Sequence, residues 1–307
     1  MPYYTMPMIS HDAGGGGGGS DRALRAGGNG DATTIDYIDI ASTGNATDFG
    51  DLVYSRWFMC GLGSDTRMVF SGGWNGSSIL IANDYVTLAT TGNGSDFGDS
   101  TANLGSSRGA LSNSTRGIFG GGRTTSFSDL NVIDYITIAT TGNCTDFGDV
   151  STPDVIGMAG TASTTRGLIN GGSEAGTGSS HNVIGYVTIA STGNATDFGD
   201  LTTARIYLGG ASSSTRSVCA GGDNSTSNVI DYTTIASTGN ATDFGDLQTS
   251  KAGMGGTSNS TRAVFCGGNL NVIGYVTIAS TGNATDFGDL TGSQQYGAMA
   301  SGSHGGI

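Results

Sequence analysis

The stretch Ala41–Leu52 reads ASTGNATDFGDL, and it returns letter for letter from Ala190, Ala236 and Ala279. Looser copies start at Ala89 (ATTGNGSDFGDS) and Ala139 (ATTGNCTDFGDV). Anchored on the Gly of GNxTDFGD, the copies fall at Gly44, Gly92, Gly142, Gly193, Gly239 and Gly282, spaced by 48, 50, 51, 46 and 43 residues. A period of this size is the mark of a repeat architecture, and it governs every other reading of the chain. A second motif, Arg-x-apolar-x-x-Gly-Gly, keeps the same phase, from RALRAGG at Arg22 to RAVFCGG at Arg262.

Each unit divides into four short strands. The first is small and loose, as in AGMGGTSNS; the second ends at the Gly-Gly pair. The third is the most β-prone, as in NVIDYITIAT, with alternating β-branched and aromatic side chains. The TGN stretch is expected to be a two-residue hairpin turn, with Gly-Asn supplying positive φ, and ATDFGDL the fourth strand. Four strands per unit predict an all-β fold, a six-bladed β-propeller. The termini support a ring over a linear solenoid. The first unit begins at DRALRAGG and lacks a first strand, and YGAMASGSHGGI at the end is a first strand without a blade. Paired, they would close the sixth sheet and remove an open edge. Residues 1–20 read as an N-terminal arm and glycine linker, and residues 21–307 as the propeller.

Composition narrows the function. The net charge is −13, almost all of the acid is aspartate, and Glu174 and Lys251 are the single examples of their kinds. An anionic surface repels phosphate backbones, so nucleic acid is not an expected partner. No apolar run approaches the ~20 residues of a helical span, so membrane insertion is not expected. The start MPYYTMPMIS lacks a basic region followed by an apolar one, so no signal peptide is expected. Cys60, Cys144, Cys219 and Cys266 have no metal-type spacing and read as free thiols.

The Gly-Gly after the second strand, the tyrosines that follow it (Tyr37, Tyr85, Tyr135, Tyr186, Tyr232 and Tyr275) and the unit length resemble kelch repeats over residues 21–307. One departure is consistent: Phe49, Phe97, Phe147, Phe198, Phe244 and Phe287 stand where that family has tryptophan in strand four. The wording IDYVTIASTGNATDFGDLT is also similar to repeats in virion structural proteins of marine tailed phages. That resemblance implies a capsid or tail decoration, assembled in the host cytoplasm and located in the virion.

Repeated residues have structural readings. The tyrosines and phenylalanines are expected to pack between blades. Arg22, Arg67, Arg116, Arg166, Arg216 and Arg262 are expected to pair with an Asp of the DFGD turn or to donate to a carbonyl, because a lone buried charge is costly. DFGD in six copies is not a kinase metal motif, and Gly14–Gly19 is not a P-loop, since no Lys-Ser/Thr follows. Asn45, Asp48 and Asp51 offer oxygens for calcium, but without EF-hand spacing; an Asx turn is the simpler expectation, and no cofactor is assigned. The Asn-x-Thr/Ser sequons at Asn45, Asn194, Asn240 and Asn283 lie in the same turn and are not read as glycosylated. His11, His181 and His304 sit at unrelated repeat positions, a copper-oxidase ligand set cannot be assembled, and nothing points to a Ser-His-Asp set, so no catalytic residues are assigned.

Variation carries the functional signal. The 3–4 turn hardly changes, whereas the 2–3 connections (from NGDATT to NL) and the 4–1 connections (VYSRW, STANLGSSR, LTGSQQY) differ from blade to blade. Both sets belong to one face of a propeller, and loops on a rigid frame are where recognition sits. That face offers Arg56, Trp57, Trp74, Arg123, Phe127, His181, Arg205 and Tyr207, with aromatics suited to sugar stacking or to protein anchoring. The expected protein is a non-enzymatic virion accessory protein. Its arm (Tyr3, Tyr4, Met6, Met8) would dock on other virion proteins, and its variable face would meet cell-surface glycans. A cellular kelch-type scaffold or lectin is the alternative.

Overall fold

A computed structural model describes residues 21–29, 33–152, 155–174, 178–222 and 227–307. They form six four-stranded antiparallel sheets arranged as the blades of a ring. Blade one is the composite: Ala298–Ser301 is its inner strand and pairs with Arg22–Ala26, which is followed by Thr34–Asp39 and Thr47–Asp51. In blades two to six the inner strands are Cys60–Gly63, Gly109–Ser112, Ala159–Ala162, Gly209–Ser212 and Met254–Ser258, and the outer strands all carry (T/S)DFGD. The inner strands neighbour one another round the axis, and the closure expected from the termini is present.

Burial is organised between blades. Each of six apolar clusters draws on two adjacent sheets; one joins Phe49 and Leu52 of blade one to Met68, Phe70, Val86 and Leu88 of blade two. Phe49 and its five counterparts are buried, each contributing roughly 1.5–3 kcal/mol. Each also meets the tyrosine of its own blade edge-on, with centroids 5.8–6.2 Å apart. The repeated arginine lies over that tyrosine and donates to a carbonyl of the next blade, as Arg67 does to Ile138 at 2.9 Å. Of the two partners expected for it, the carbonyl is the one found. Arg262 of blade six donates to Ile40 and Ala41 of blade one, so the series runs through the closure without a break.

The TGN segment corrects an expectation. It is no two-residue hairpin: strand three of blade one ends at Asp39 and strand four begins at Thr47. A turn closes early, with the Ser42 N–H on the Asp39 carbonyl at 3.2 Å, and the chain then reaches across to the previous blade. In blade two, the Gly92 N–H donates to the Phe49 carbonyl at 2.8 Å and the Gly94 N–H to the Asp51 carbonyl at 2.7 Å. The Asn93 side-chain oxygen accepts the Asp51 N–H at 3.1 Å. The same three bonds recur at every joint, including that from Gly44, Asn45 and Ala46 to Phe287 and Asp289. An outer strand would otherwise present unpaired N–H and C=O groups to solvent; here the neighbour's loop takes them up. The asparagine therefore serves the preceding blade rather than an Asx turn of its own.

The clasp explains the glycine of DFGD. Gly148 has φ +148°, and a Cβ there would lie 2.6 Å from the carbonyl carbon and oxygen of Gly193. Gly148→Ala is expected to lower stability by about 2 kcal/mol, read from the denaturant midpoint. Gly44→Ala, at a position with open space around it, is the control expected to change little.

Candidate functional site

The 2–3 and 4–1 connections share one face, as expected, and within a blade they pair with each other. Leu104–Ser106 pairs with Arg123–Thr124, Val155–Ile156 with Ser173–Glu174, and Trp57 with Trp74. Where the 4–1 segments turn into the inner strands, six equivalent residues surround the axis: Phe58, Ser107, Gly157, Tyr207, Gly253 and Tyr296. All have φ between 57° and 69°, in the left-handed region. Their backbones form a belt of blade-to-blade hydrogen bonds: Ser107 N–H to Phe58 C=O, Gly157 to Ser107, Tyr207 to Gly157, Tyr296 to Gly253 and Phe58 to Tyr296, at 2.7–2.8 Å. Met254 N–H to Tyr207 C=O at 3.2 Å completes it.

Glycine fits such a backbone without cost, and two blades use it. Three others place aromatics there. Phe58, Tyr207 and Tyr296 touch one another over the axis, with centroids 4.2–5.6 Å apart. Below them lies a cavity of about 60 Å³ lined by Met59, Met158 and Met254. Sequence reasoning selected Tyr207 but missed Phe58 and Tyr296. The signal was the pair of glycines at the matched positions, which mark a special backbone.

Two of the selected residues are not at the surface. Arg56 and Arg205 have 0% and 2% of their surface exposed. Arg56 Nη2 lies 2.8 Å from Asp84 Oδ2, and Arg205 is paired with Asp231. Burial pushes the Arg56 guanidinium down, and burial likewise pushes the Asp84 carboxyl up, against the attraction between them. They are internal ties between the variable loops and strand three, so they are corrected from binding residues to structural ones. Arg108 does the same for Asp134 at 3.0 Å, and Arg25 with Gln294 lies beside Asp36. Where strand three has Gly185 or Gly274 in place of the aspartate, the position matched to Arg56 and Arg205 holds Val155, or Lys251, which donates to the Val272 carbonyl.

A third residue completes this motif. Thr101, Thr202 and Thr291 each donate a hydroxyl to Asp134, Asp231 and Asp36 respectively. Blade two has Val53 instead, and Asp84 Oδ1 is buried without a partner. Val53→Thr is expected to raise stability by about 1 kcal/mol, seen as a higher denaturation midpoint.

The remaining candidates stay on the variable face. Phe127 is 58% exposed, and its ring meets that of part-exposed Trp74 edge-on at 5.5 Å. Trp57 is bonded to Trp74 through both backbones, at 2.7 and 3.0 Å. Arg123 forks onto Asp129 through Nε at 2.5 Å and Nη2 at 2.9 Å, a hydrogen-bonded pairing that raises its pKa. His181 is part-exposed, anchored through its backbone to Gly172 and Arg205, while its Nε2 is buried without a partner. The arm residues Tyr3, Tyr4, Met6 and Met8 lie outside the described residues.

The opposite face is closed by residues 302–307, which run across the end of an axial cavity of about 40 Å³ lined by all six inner strands. His304 Nε2 lies 3.0 Å from Ser112 Oγ and 3.2 Å from the Gly63 carbonyl, while its Nδ1 accepts the Gly306 N–H at 3.0 Å. Nε2 therefore carries the proton and donates. A nucleophilic serine needs the reverse arrangement, so this Ser–His pair is a structural contact. Burial pushes His304 down to about 4 from an ordinary 6.5. Its folded value lies below its unfolded one, so the unfolded chain binds the proton first as pH falls. The stability it contributes is present above about pH 6.5 and is lost as pH falls toward 4. Melting curves across that window should shift down in acid, and His304→Gln should reduce the shift. Burial also holds Cys60 and Cys219 at about 12 and Cys144 at about 11, far from thiolate chemistry.

The calcium question turns on the clasp: the side-chain oxygen of Asn45 is occupied by the Asp289 N–H at 3.0 Å. Among the described residues, no group of three or more His, Cys, Asp or Glu side chains is placed to hold a metal. No protein-family model matches the chain, and no curated protein matches it.

Proposed function

We propose that this chain is a non-enzymatic virion structural protein, a capsid or tail decoration, that docks through residues 1–20 and presents its variable face to host-surface glycans. The observation that carries the reading is the division of labour between the two faces. The chain enters the ring at Asp21, which is held by Asn259 of a 1–2 turn and Ser303 of the closing tail, on the face away from the variable loops. Asp21, the residue that follows the arm, thus lies on one face and the aromatic loops on the other. The resemblance of the repeat wording to virion proteins of tailed phages supplies the setting, and the Ser112–His304 geometry supports the non-enzymatic side. Calcium or another cofactor is not part of the proposal.

The test is a mass-spectrometric inventory of purified particles, with a chain lacking residues 1–20 run in parallel. The chain should be found among the structural proteins, and the truncated form should fold but stay unincorporated. Absence of the full chain from particles overturns the virion reading in favour of a cellular kelch-type scaffold or lectin. Normal incorporation of the truncated chain overturns the docking role of the arm.

A further inference from the structure

The charges of the molecule are distributed unequally in kind. All twelve lysine and arginine side chains are engaged by acceptors of the chain itself: the six repeated arginines by carbonyls, Arg56, Arg108, Arg123 and Arg205 by aspartates, Arg25 by Gln294 and Lys251 by a carbonyl. No lysine or arginine is held in reserve for a ligand, while the net charge stands at −13. A sulfated, sialylated or phosphorylated ligand would meet repulsion without a compensating pair.

Against that background, the hairpins of blades two and three carry a neutral platform. Among the described residues Phe127 is the most exposed of the large apolar side chains, and its backbone is in the left-handed region at φ 63°, where a bulky residue is disfavoured. A chain this rich in glycine places an aromatic there. The ring stands edge-on to Trp74, which leaves flat apolar faces beside the exposed hydroxyls of Ser77, Ser78, Thr125 and Ser126. The only nearby charges the loop contributes, Arg123 and Asp129, neutralise each other. Flat aromatic faces stack on the C–H face of a sugar ring, and short hydroxyls meet its O–H groups. A protein partner needs a broad apolar core. Here the other exposed large apolar residues among those described, Val53, Tyr54 and Leu270, lie on different connections.

We infer that Trp74 and Phe127 form a stacking platform for an uncharged oligosaccharide, an inference that rests on the glycan-binding reading above. The experiment is a glycan array probed with the full chain, both free and on assembled particles, to allow for multivalent display of weak sites. Wild type should bind neutral oligosaccharides with little dependence on salt. Phe127→Ala should weaken binding about tenfold while the melting temperature holds, and Phe127→Trp should retain it. Trp74→Ala should weaken binding as well. A signal confined to sialylated or sulfated glycans overturns the inference and leaves the glycan-binding reading standing. Neutral-glycan binding that survives both alanine variants assigns it elsewhere on the face and likewise overturns only the platform. No signal from any glycan, free or on particles, removes both. Self-association of the wild type that Phe127→Ala abolishes, without glycan binding, gives the patch to a second copy and overturns the platform.

Discussion

Removing residues 296–307 should abolish cooperative folding. That segment supplies the inner strand of blade one, paired to Arg22–Ala26 from Ala23↔Ser301 to Ala26↔Ala298. It also supplies Tyr296 to the axial aromatic cluster and the tail that closes the opposite end. Without it, blade one loses its inner strand, and the inner strands of blades six and two lose the neighbour that lies between them on the axis. Ser301 further ties the ring through its hydroxyl to the Ser258 carbonyl at 2.6 Å. The predicted readout is a broad or absent thermal transition with early aggregation, because open inner edges pair with other chains. Supplying the missing segment as a separate peptide should restore a sharp transition. A truncated chain that melts at the wild-type temperature would show that the closure contributes nothing to stability.

Arg205→Ala should cost about 3–5 kcal/mol, since it leaves Asp231 buried and uncompensated. The protein already contains the remedy. Blade four has Val155 and Gly185 at the matched positions and folds to the same four-stranded sheet. The double variant Arg205→Val with Asp231→Gly should therefore recover most of the loss, measured by urea unfolding. A double variant no more stable than Arg205→Ala would mean that the pair does more than neutralise itself.

Much of the architecture could be read from the repeat because each blade solves the same packing problem with the same residues. Gly44 and its copies set the phase, the Gly-Gly pairs marked the ends of the second strands in every blade but the second, where Arg67–Trp74 runs on through its pair, and the mismatched termini predicted the composite blade. The clasp was not readable. GN followed by alternating residues describes a hairpin when only one blade is considered, and its true partner lies on a neighbouring sheet. Arg56 and Arg205 were misplaced for a related reason. Their aspartates lie some 26–28 residues downstream in strand three, and the pattern is blurred because Arg108 is shifted along its segment and Arg25 comes from strand two. The Asp-to-Gly exchange at 185 and 274 was the available clue. The variable face was found from loop variation alone, but Phe58 and Tyr296 stayed hidden. Left-handed backbone leaves a trace only where the chain happens to use glycine.

The clasp also has a sense of direction. Every blade gives its loop to the one before it and its arginine to the one after, so no joint presents the same surface from both sides. In the vocabulary of quaternary structure these are heterologous, head-to-tail contacts, and the ring is a hexamer with approximate six-fold rotational symmetry whose subunits share one polypeptide. A heterologous contact either closes or grows into a filament, according to the rotation it imposes. The side chains that set that rotation are the ones repeated at every joint. The clasp and the arginine take nothing from the 2–3 and 4–1 connections, whose belt of blade-to-blade bonds is made by backbone, and that leaves their side chains free to differ.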